Sequence, residues 1–370
     1  MPETQTAKRK LSHLQTTLHE NVQSPTPTGF DDVRLIHKAL PEIDRDEIDL
    51  STELFGHRMK APLVIESMTG GTPLAAKINR TLAKVAEKLG IAMGVGSQRA
   101  GIEDPSLAYT FRVARDVAPS IPLFANLGCP QIVREDGLDR AKKAVDMIKA
   151  TGLFIHLNAL QESVQFEGET AFSGVLTKIS ELASALSVPV LVKETGAGIS
   201  KETAQALERA KVAGINVSGL GGTSWAAVEY YRARTKRLKL QMELGTTFWD
   251  WGTPTVPSIV EVANSTNLKV FASGGVRNGL HIAKAIALGA NYGGLAIPML
   301  KSASSGEKAV KARLTTMIEE LRNAMFLTGS RGLEELSNAP LIITGDTYQW
   351  LIQRGFDLSN YANRGIMPGK

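Results

Sequence analysis

The chain has 370 residues, of which 43% are hydrophobic and 21% are charged, so it is long enough for one large barrel domain with extensions and too apolar for wholesale disorder. Its net charge of +5 is mildly basic, which permits anionic small substrates, but no long Lys/Arg tract indicates nucleic-acid binding. The single cysteine, Cys129, excludes a disulfide framework or a cysteine-based zinc site within one chain.

The N-terminal segment carries no apolar signal region, and no window of the sequence approaches eighteen unbroken apolar residues. We therefore expect a soluble, cytoplasmic protein that does not enter a membrane. The densest basic run, residues 231–239, lies within a polar insert and is interpreted as a solvated face or a mobile loop.

Eight short apolar runs follow one another from about residue 60, and helical patterns separate most of them. The predicted strands are residues 62–65, 91–94, 122–125, 153–157, 189–193, 214–217, 269–272 and 292–296. The clearest predicted helices are residues 75–89, 138–150, 173–186, 200–211 and 280–288. This alternation predicts an α/β fold, a (β/α)8 TIM barrel over residues 61–338. An N-terminal arm and lead-in (1–60) precede it, and a C-terminal extension (339–370) follows.

Active sites of such barrels lie at the carboxyl ends of the strands, so the residues after each predicted strand are candidates for function. Gly274 and Gly275 follow the seventh strand, with Arg277 close behind, and the stretch 293–298 follows the eighth. Paired glycines let backbone N–H groups approach a phosphate, and a helix start adds positive potential. We interpret these two loops as a phosphate site, although tight barrel turns could need the glycines for their own sake.

The first three strands end in further polar candidates. The segment 65–71 after the first strand could lie along a flat polar ring, or it could form the turn before a helix that Thr72 caps. Gln98 and Arg99 after the second strand could hold an anion, unless the arginine is simply exposed. Asn126, which closes the third strand, could hydrogen-bond a heterocycle or serve as a turn residue, whereas Cys129 is expected to be inert.

The fourth strand ends in the richest group, where His156 and Asn158 alternate on one face and Gln161 and Glu162 follow. A single carboxylate such as Glu162 suits Mg²⁺, which typically takes one protein carboxylate plus substrate phosphates and waters. Lys193, at the end of the fifth strand, is costly to bury without an anionic partner such as a reduced flavin.

Ser218 and Thr223 flank a glycine loop after the sixth strand and could donate to phosphate. The basic N-terminal run that contains Arg9, Lys10 and His13 becomes functional only if the arm folds over a site.

Several of these motifs together resemble the type 2 isopentenyl-diphosphate delta-isomerase family over residues 8–337. The motifs are Arg9-Lys10 with His13, Met68-Thr-Gly-Gly71, Gly96-Ser-Gln-Arg99, His156-Leu-Asn158 with Gln161-Glu162, Val192-Lys-Glu194 and Ser273-Gly-Gly-Val-Arg277. Single motifs occur in other FMN barrels, whereas the Arg-Lys arm combined with His-Leu-Asn and Gln-Glu is much more specific.

The resemblance implies an enzyme that interconverts isopentenyl and dimethylallyl diphosphate with reduced FMN and Mg²⁺, where NADPH serves only to reduce the flavin. It implies that FMN contacts Ser67, Met68, Thr69, Ser97, Asn126, Lys193, Ser218, Thr223, Gly274, Gly275, Val276, Arg277, Ala296 and Ile297. It implies that the substrate contacts Arg9, Lys10, His13, Ser97, Gln98, Arg99, His156, Asn158 and Gln161. Gln161, His156 and Lys193 would be catalytic, Glu162 would hold Mg²⁺, and the protein would form a homotetramer or homo-octamer.

Two classes of alternative remain open from the sequence. Other FMN barrels are one class, but an α-hydroxyacid oxidase should show a histidine after the sixth strand, and inosine-monophosphate dehydrogenase needs a loop cysteine. Residues 219–225 contain no histidine, and Cys129 follows the third strand instead. The other class is a phosphate-binding barrel without catalysis, which should not turn over isopentenyl diphosphate.

Overall fold

The computed structural model describes residues 5–364, and a closed barrel of parallel strands lies at its centre. The strands are β1 (Val33–Leu35), β2 (Thr52–Leu54), β3 (His57–Met59), β4 (Leu63–Ile65), β5 (Ala92–Gly94), β6 (Leu123–Gly128), β7 (Gly152–His156), β8 (Val190–Lys193), β9 (Gly214–Asn216), β10 (Lys269–Ala272), β11 (Tyr292–Leu295) and β12 (Leu341–Ile343).

The helices precede, separate and follow these strands. They are α1 (Gln5–His19), α2 (Pro73–Leu89), α3 (Arg99–Glu103), α4 (Tyr109–Val117), α5 (Cys129–Ile132), α6 (Gly137–Ile148), α7 (Ala159–Val164), α8 (Val175–Ala185), α9 (Lys201–Arg209), α10 (Trp225–Lys236), α11 (Lys239–Thr247), α12 (Thr255–Ala263), α13 (Gly279–Ala287), α14 (Ile297–Ser304), α15 (Glu307–Thr328), α16 (Leu333–Ser337), α17 (Gly345–Gln353) and α18 (Ser359–Ala362). Within residues 5–364, no helix is long and apolar enough to span a membrane.

The barrel closes in the order β4-β5-β6-β7-β8-β9-β10-β11, and β11 pairs with β4 in parallel. Each of the eight predicted apolar runs overlaps one of these strands, so the predicted (β/α)8 barrel is confirmed. Most residues of these strands are buried because the barrel core covers one face and the surrounding helices cover the other.

Local signals explain where the helices begin and end, and α2 shows this most simply. The Thr72 hydroxyl accepts a hydrogen bond from the backbone N–H of Ala75 at 3.1 Å, and Pro73 occupies the first helical position. Gly90 ends the helix with a positive φ of 63°, a conformation that glycine adopts without steric cost. The predicted helix 75–89 ends at the observed residue and begins two residues after the observed start.

The segments outside the repeat are more ordered than the sequence suggested. The arm forms the fifteen-residue helix α1. The lead-in and the C-terminal extension meet in a two-stranded antiparallel sheet, in which β1 pairs with β12. The insert after β9 folds into α10 and α11.

The interpretation of residues 231–239 as a solvated face or mobile loop is therefore wrong for part of the run. Its first half ends helix α10, and Arg232 is only 4% exposed. The Arg232 guanidinium bonds the carboxylates of Glu229 and Glu167, which offset the cost of burying its charge. Arg234, Lys236 and Arg237 remain exposed, as predicted.

Candidate active site

A single large cavity opens at the carboxyl ends of the barrel strands, with α1 packed across one side. Its empty space is about 1450 Å³, including the open mouth, which leaves room for more than one small ligand. The structure brings to this cavity every residue that the sequence singled out for FMN, substrate or metal, except Gln98.

Gln98 lies behind the cavity wall and is fully buried. Its amide nitrogen donates to the backbone oxygen of Ala144 at 2.8 Å, and its amide oxygen accepts from the backbone N–H of Asn126 at 3.0 Å. Both halves of the amide are thus occupied, and the expectation that Gln98 contacts an anion is corrected: it braces the strand that carries Asn126.

The phosphate-type turn after β10 depends on two glycines. Gly274 and Gly275 have φ angles of 95° and 68°, which other residues rarely adopt. A Cβ atom on Gly274 would lie 2.2 Å from the backbone oxygen of Gly219, so no side chain fits between the two loops. Helix α14 begins beside this turn at Ile297, and Arg277 also lines the wall. Backbone N–H groups, a helix N-terminus and a guanidinium therefore converge on one end of the cavity, as a phosphate requires.

The floor of the cavity holds polar atoms that lack partners within the described chain. The buried Ser67 hydroxyl makes no hydrogen bond in residues 5–364, although it faces the cavity. Ser218 has a φ of 38°, an unusual conformation for a residue with a side chain, and it lines the same wall. Lys193 is only 6% exposed. An uncompensated hydroxyl, a strained serine and a buried ammonium suit a polar heterocycle such as the FMN ring.

A second group of cations lies across the mouth from the phosphate-type turn. Helix α1 supplies Arg9 and Lys10, and α3 supplies Arg99. Arg99 pairs with Glu103 and Glu169 at 2.8 and 2.9 Å, whereas no carboxylate of residues 5–364 lies within ion-pair distance of Arg9 or Lys10. Burial, together with Arg9 and Arg99, lowers the pKa of Lys10 to about 7, and Glu162 opposes this only in part. Such a cluster favours a bound anion.

His156 is held in a defined orientation beside these cations. Its Nδ1 lies 2.8 Å from the Asn126 Oδ1, and the Asn126 amide nitrogen donates to the Val95 oxygen at 3.3 Å. The Asn126 oxygen can therefore only accept, so Nδ1 of His156 carries the proton. Burial, with Lys193, Lys10 and Arg9 nearby, places the pKa of His156 well below its ordinary value. A diphosphate at the mouth would reverse the repulsion and favour the imidazolium.

Glu162 is the carboxylate best suited to a magnesium ion. Its two oxygens accept from the Asn158 amide and from the backbone N–H of Glu169, both at 2.8 Å, and the second oxygen also lies 3.4 Å from the Gln165 amide nitrogen. The buried Asn158 Oδ1 has no partner within the described chain. Within residues 5–364, no three His, Cys, Asp or Glu side chains lie close enough together to hold a metal ion.

Gln161 is oriented by a residue that the sequence analysis missed. Its amide nitrogen donates to Glu229 Oε1 at 3.0 Å, and the same oxygen lies 2.9 Å from Nε2 of His13. Although burial raises the pKa of Glu229, His13 and Arg232 hold it below its ordinary value. Glu229 thus joins the arm, through His13, to the helix that carries Gln161. No sequence signal marked Glu229, because it lies within α10 in the segment interpreted as an insert.

Cys129 lies near this group but has no sign of reactivity. The thiol is buried and donates to the backbone oxygen of His156 at 3.1 Å. Burial raises its pKa to about 12. The structure therefore agrees with the prediction of an inert residue, because the thiolate is the reactive form.

The chain matches the family model for FMN-dependent dehydrogenases over residues 9–105 and 134–343. It is 50% identical over 367 residues to an isopentenyl-diphosphate delta-isomerase of Thermococcus kodakarensis, covering 97% of each chain. It is 48% identical over 356 residues to the isomerase of the same name from Methanothermobacter thermautotrophicus, covering 96% of this chain and 99% of the relative.

Solved structures of flavin enzymes share the fold at much lower identity. A putative lactate oxidase of Pediococcus acidilactici superposes with a TM-score of 0.63 at 21% identity, covering 90% of this chain and 87% of that one. A flavocytochrome b2 double mutant with pyruvate bound gives a TM-score of 0.65 at 18% identity, covering 97% and 86%. At this identity the likeness shows the barrel fold alone.

Proposed function

Because the chain belongs to the type 2 isopentenyl-diphosphate delta-isomerase family, on the barrel of the FMN-dependent dehydrogenases, we propose that it interconverts isopentenyl and dimethylallyl diphosphate with reduced FMN and Mg²⁺. One observation of the site carries the proposal furthest. The cavity is lined by two groups that suit anions, the Gly274–Gly275 turn and the cluster of Arg9, Lys10 and Arg99, and Gln161 and Glu162 line the same space.

The first group and the floor of the cavity suit FMN. The glycine turn and Arg277 would hold its phosphate, while Ser67, Asn126 and Lys193 would meet its ring. Met68, Thr69, Ser97, Ser218, Thr223, Val276, Ala296 and Ile297 complete the proposed contacts. When bound and reduced, FMN supplies an electron-rich ring that can give a proton to an alkene and take one back, without net redox change.

The second group suits the diphosphate of the substrate. Arg9, Lys10 and Arg99 would bind its oxygens, and Glu162 would bind them through Mg²⁺. The remaining proposed contacts are His13, Ser97, His156 and Asn158. Holding the charged end here leaves the short hydrocarbon end beside Gln161, and α1 excludes water from that side. Exclusion of water matters because a tertiary cation formed from the alkene would otherwise be captured as an alcohol.

Moving the double bond requires one proton to be added to the terminal carbon and another to be removed from the carbon on the other side. An isolated alkene is a very weak base, so a carboxylic acid of ordinary pKa is poorly matched to this step. The Gln161 amide, held by Glu229, would orient the hydrocarbon and complete the polar wall around the reacting carbons. Lys193 would balance the negative charge of the reduced cofactor.

An omission assay tests the proposal directly. The purified protein is incubated anaerobically with isopentenyl diphosphate, FMN, Mg²⁺ and NADPH, and each component is left out in turn. Activity should require FMN and Mg²⁺, whereas NADPH should become dispensable once the flavin is reduced with dithionite. In D₂O, both diphosphates should gain deuterium. Retention of all protons by the substrate over long incubation would overturn the proposal.

The family resemblance also suggests a homotetramer or homo-octamer in the cytoplasm, which we include in the proposal. Light scattering coupled to gel filtration would give the mass. A monomer at micromolar concentration would contradict this part of the proposal and leave the chemistry untouched.

A further inference from the structure

At the floor of the cavity, four buried polar side chains come from four different strands of the barrel. Glu66 follows β4, Lys193 ends β8, Asn216 ends β9 and Ser273 follows β10. Glu66 and Lys193 are each 6% exposed, and Ser273 and Asn216 are more deeply buried. Lys193 is part of the proposed FMN site, but neither the sequence motifs nor the proposed function gives a role to Glu66.

A hydrogen bond links the Glu66 carboxylate to β9, a strand that is not a neighbour of β4 in the barrel. Glu66 Oε1 accepts from the Asn216 amide nitrogen at 2.7 Å, and the Ser273 hydroxyl donates to the Asn216 Oδ1 at 2.6 Å. Asn216 is the register partner of Lys193 in the neighbouring parallel strand, so both side chains point into the barrel side by side. The Asn216 bond therefore holds a carboxylate against the strand that neighbours Lys193, near enough for its charge to act on the ammonium.

The fold keeps space for this carboxylate. A Cβ atom on Gly294 would lie 2.1 Å from Glu66 Oε1, so the carboxylate occupies the volume that a side chain on β11 would take. The backbone of Glu66 is fixed as well, because its N–H donates to the Leu295 oxygen at 3.0 Å. Glu66 thus has one position, and that position is determined by three strands besides its own.

Two other titratable groups face Lys193, Glu194 and His156, and neither replaces Glu66. Glu194 turns its Oε2 to the backbone N–H groups of Thr195, Gly196 and Ala197, and Lys193 Nζ contacts only its backbone oxygen, at 2.7 Å. His156 is the register partner of Lys193 on β7 and is repelled by a charged lysine.

The charges of the pair depend on each other. Burial lowers the pKa of Lys193, and the nearby Glu66 and Glu194 act against that shift. Burial raises the pKa of Glu66, and Lys193 and Asn216 act against that shift. Each group therefore stabilises the ionised form of the other in a place where an isolated charge would be costly.

We infer that Glu66 is a positioning residue for Lys193: its carboxylate keeps the ammonium protonated and held toward the FMN that the cavity is proposed to bind. The inference rests on the proposed function for the presence of FMN and adds the group that sets the charge beneath it. Without Glu66, Lys193 should lose its proton at a lower pH. The stabilisation that a cation gives to a reduced, anionic flavin should then disappear at that lower pH.

The experiment follows the midpoint potential of bound FMN from pH 6 to 10, together with FMN affinity by quenching of flavin fluorescence. In the natural protein, the midpoint potential and the FMN affinity should both decline as Lys193 is deprotonated. In Glu66→Gln the decline should begin about one to two pH units lower. Glu66→Asp keeps the charge and should show a smaller displacement, and it also serves if Glu66→Gln folds poorly. In a Lys193→Gln background, Glu66→Gln should cause no further displacement.

Glu261→Gln is the matched control, because Glu261 is an equally buried carboxylate outside the cavity lining. It should lower the melting temperature but leave the pH profile of the flavin unchanged. A Glu66→Gln profile that superposes on the natural one would overturn the inference and reduce Glu66 to a structural role. Apoprotein that takes up no FMN at any pH would overturn the proposed function and this inference together.

Discussion

Two successive layers of side chains inside the barrel have opposite character, although they lie only two residues apart on the same strands. The lower layer is apolar and aromatic, with Phe124 on β6, Phe154 on β7 and Phe271 on β10. Two residues further along, the same strands present Asn126, His156 and Ser273 to the cavity.

The lower layer is closed by packing. The Phe124 and Phe154 rings lie 5.0 Å apart, Phe154 and Phe271 5.7 Å, and Phe271 and Tyr292 4.8 Å. The β2–β3 hairpin covers this end with Leu54 and Met59, which are at most 1% exposed. These groups bury apolar area without a charge to compensate, and rings at such separations attract each other further.

The upper layer instead holds groups whose pairing is incomplete. Ser67 Oγ and Asn158 Oδ1 lack partners within the described chain, and Lys10 has a depressed pKa among other cations. The difference teaches that successive inward-facing side chains of the same strands can supply stability in one layer and function in the next. The apolar layer compensates for the free energy that the polar layer costs, and the polar layer is completed only by ligands.

The largest expected effect comes from removing the side chain beside the proposed reacting carbons. Gln161→Ala should lower kcat by about 10²–10⁴-fold, because orientation and proton transfer at the reacting carbons both depend on this wall. The melting temperature should stay nearly constant, since the polar layer contributes little to stability. Steady-state kinetics with isopentenyl diphosphate and calorimetry measure both quantities.

Gln131→Ala is the matched control, because Gln131 also lines the cavity but its oxygen only accepts from the backbone N–H of Gly128, at 3.1 Å. It should change kcat by less than about tenfold. A Gln161→Ala enzyme with the natural kcat would show that Gln161 is a bystander.

The opposite outcome is expected one layer below. Phe154→Ala should cost about 3–5 kcal/mol of the free energy of unfolding, since it leaves a cavity among packed rings. The kcat of the protein that stays folded should change little. Urea unfolding followed by fluorescence gives the first quantity, and kcat per bound FMN the second. Phe356→Ala changes a partly exposed aromatic residue and should lower the free energy of unfolding by less. An equal loss would mean that the aromatic layer of the barrel contributes no more to stability than a surface ring.

Neighbouring residues on the two sides of the cavity wall sharpen the comparison. Arg99→Ala should raise the KM for the diphosphate about 10–100-fold, which corresponds to the loss of a charged hydrogen bond of about 1.5–3 kcal/mol. Gln98→Ala should cost about 1–3 kcal/mol of stability by leaving the Asn126 N–H and the Ala144 oxygen unpaired, with little change in KM. A large increase in KM for Gln98→Ala with unchanged stability would show that Gln98 does contact the substrate.

The smallest effect is a pH dependence of anion binding. Lys10 is half-buried and has a pKa of about 7 in the free protein, so it is mostly neutral at pH 8. A bound anion favours the charged form, so binding takes up a proton, and affinity should fall as pH rises above 7, approaching about tenfold per unit. Calorimetric titration with inorganic pyrophosphate measures this. The same titration of Lys10→Met gives the pH dependence that comes from the ionisation of pyrophosphate itself. Identical slopes of log affinity against pH in the two proteins would contradict the prediction.

Much of the site could be predicted because barrel strands deliver their last residues to one place. The segments after β4, β5, β6, β7, β8, β9, β10 and β11 are far apart in sequence, yet closure of the barrel brings them around one cavity. Gln98 was misplaced because it begins the turn into α3, where the sequence does not tell which neighbour faces inward. Glu66 was passed over because its partner, Asn216, lies 150 positions away along the chain.

The sequence by itself determined the barrel, its strands and the polar residues at their ends. These follow from local patterns: apolar runs, caps such as Thr72, and glycines where the backbone must turn. Only the tertiary structure decided which polar groups pair. It joined His13 to Glu229, Glu66 to Asn216 and Arg232 to two carboxylates, and it placed Lys10 among cations whose effect Glu162 opposes only in part. The physical reason is that the energy of a buried charge depends on its neighbours in space, and the closure of the barrel fixes those neighbours.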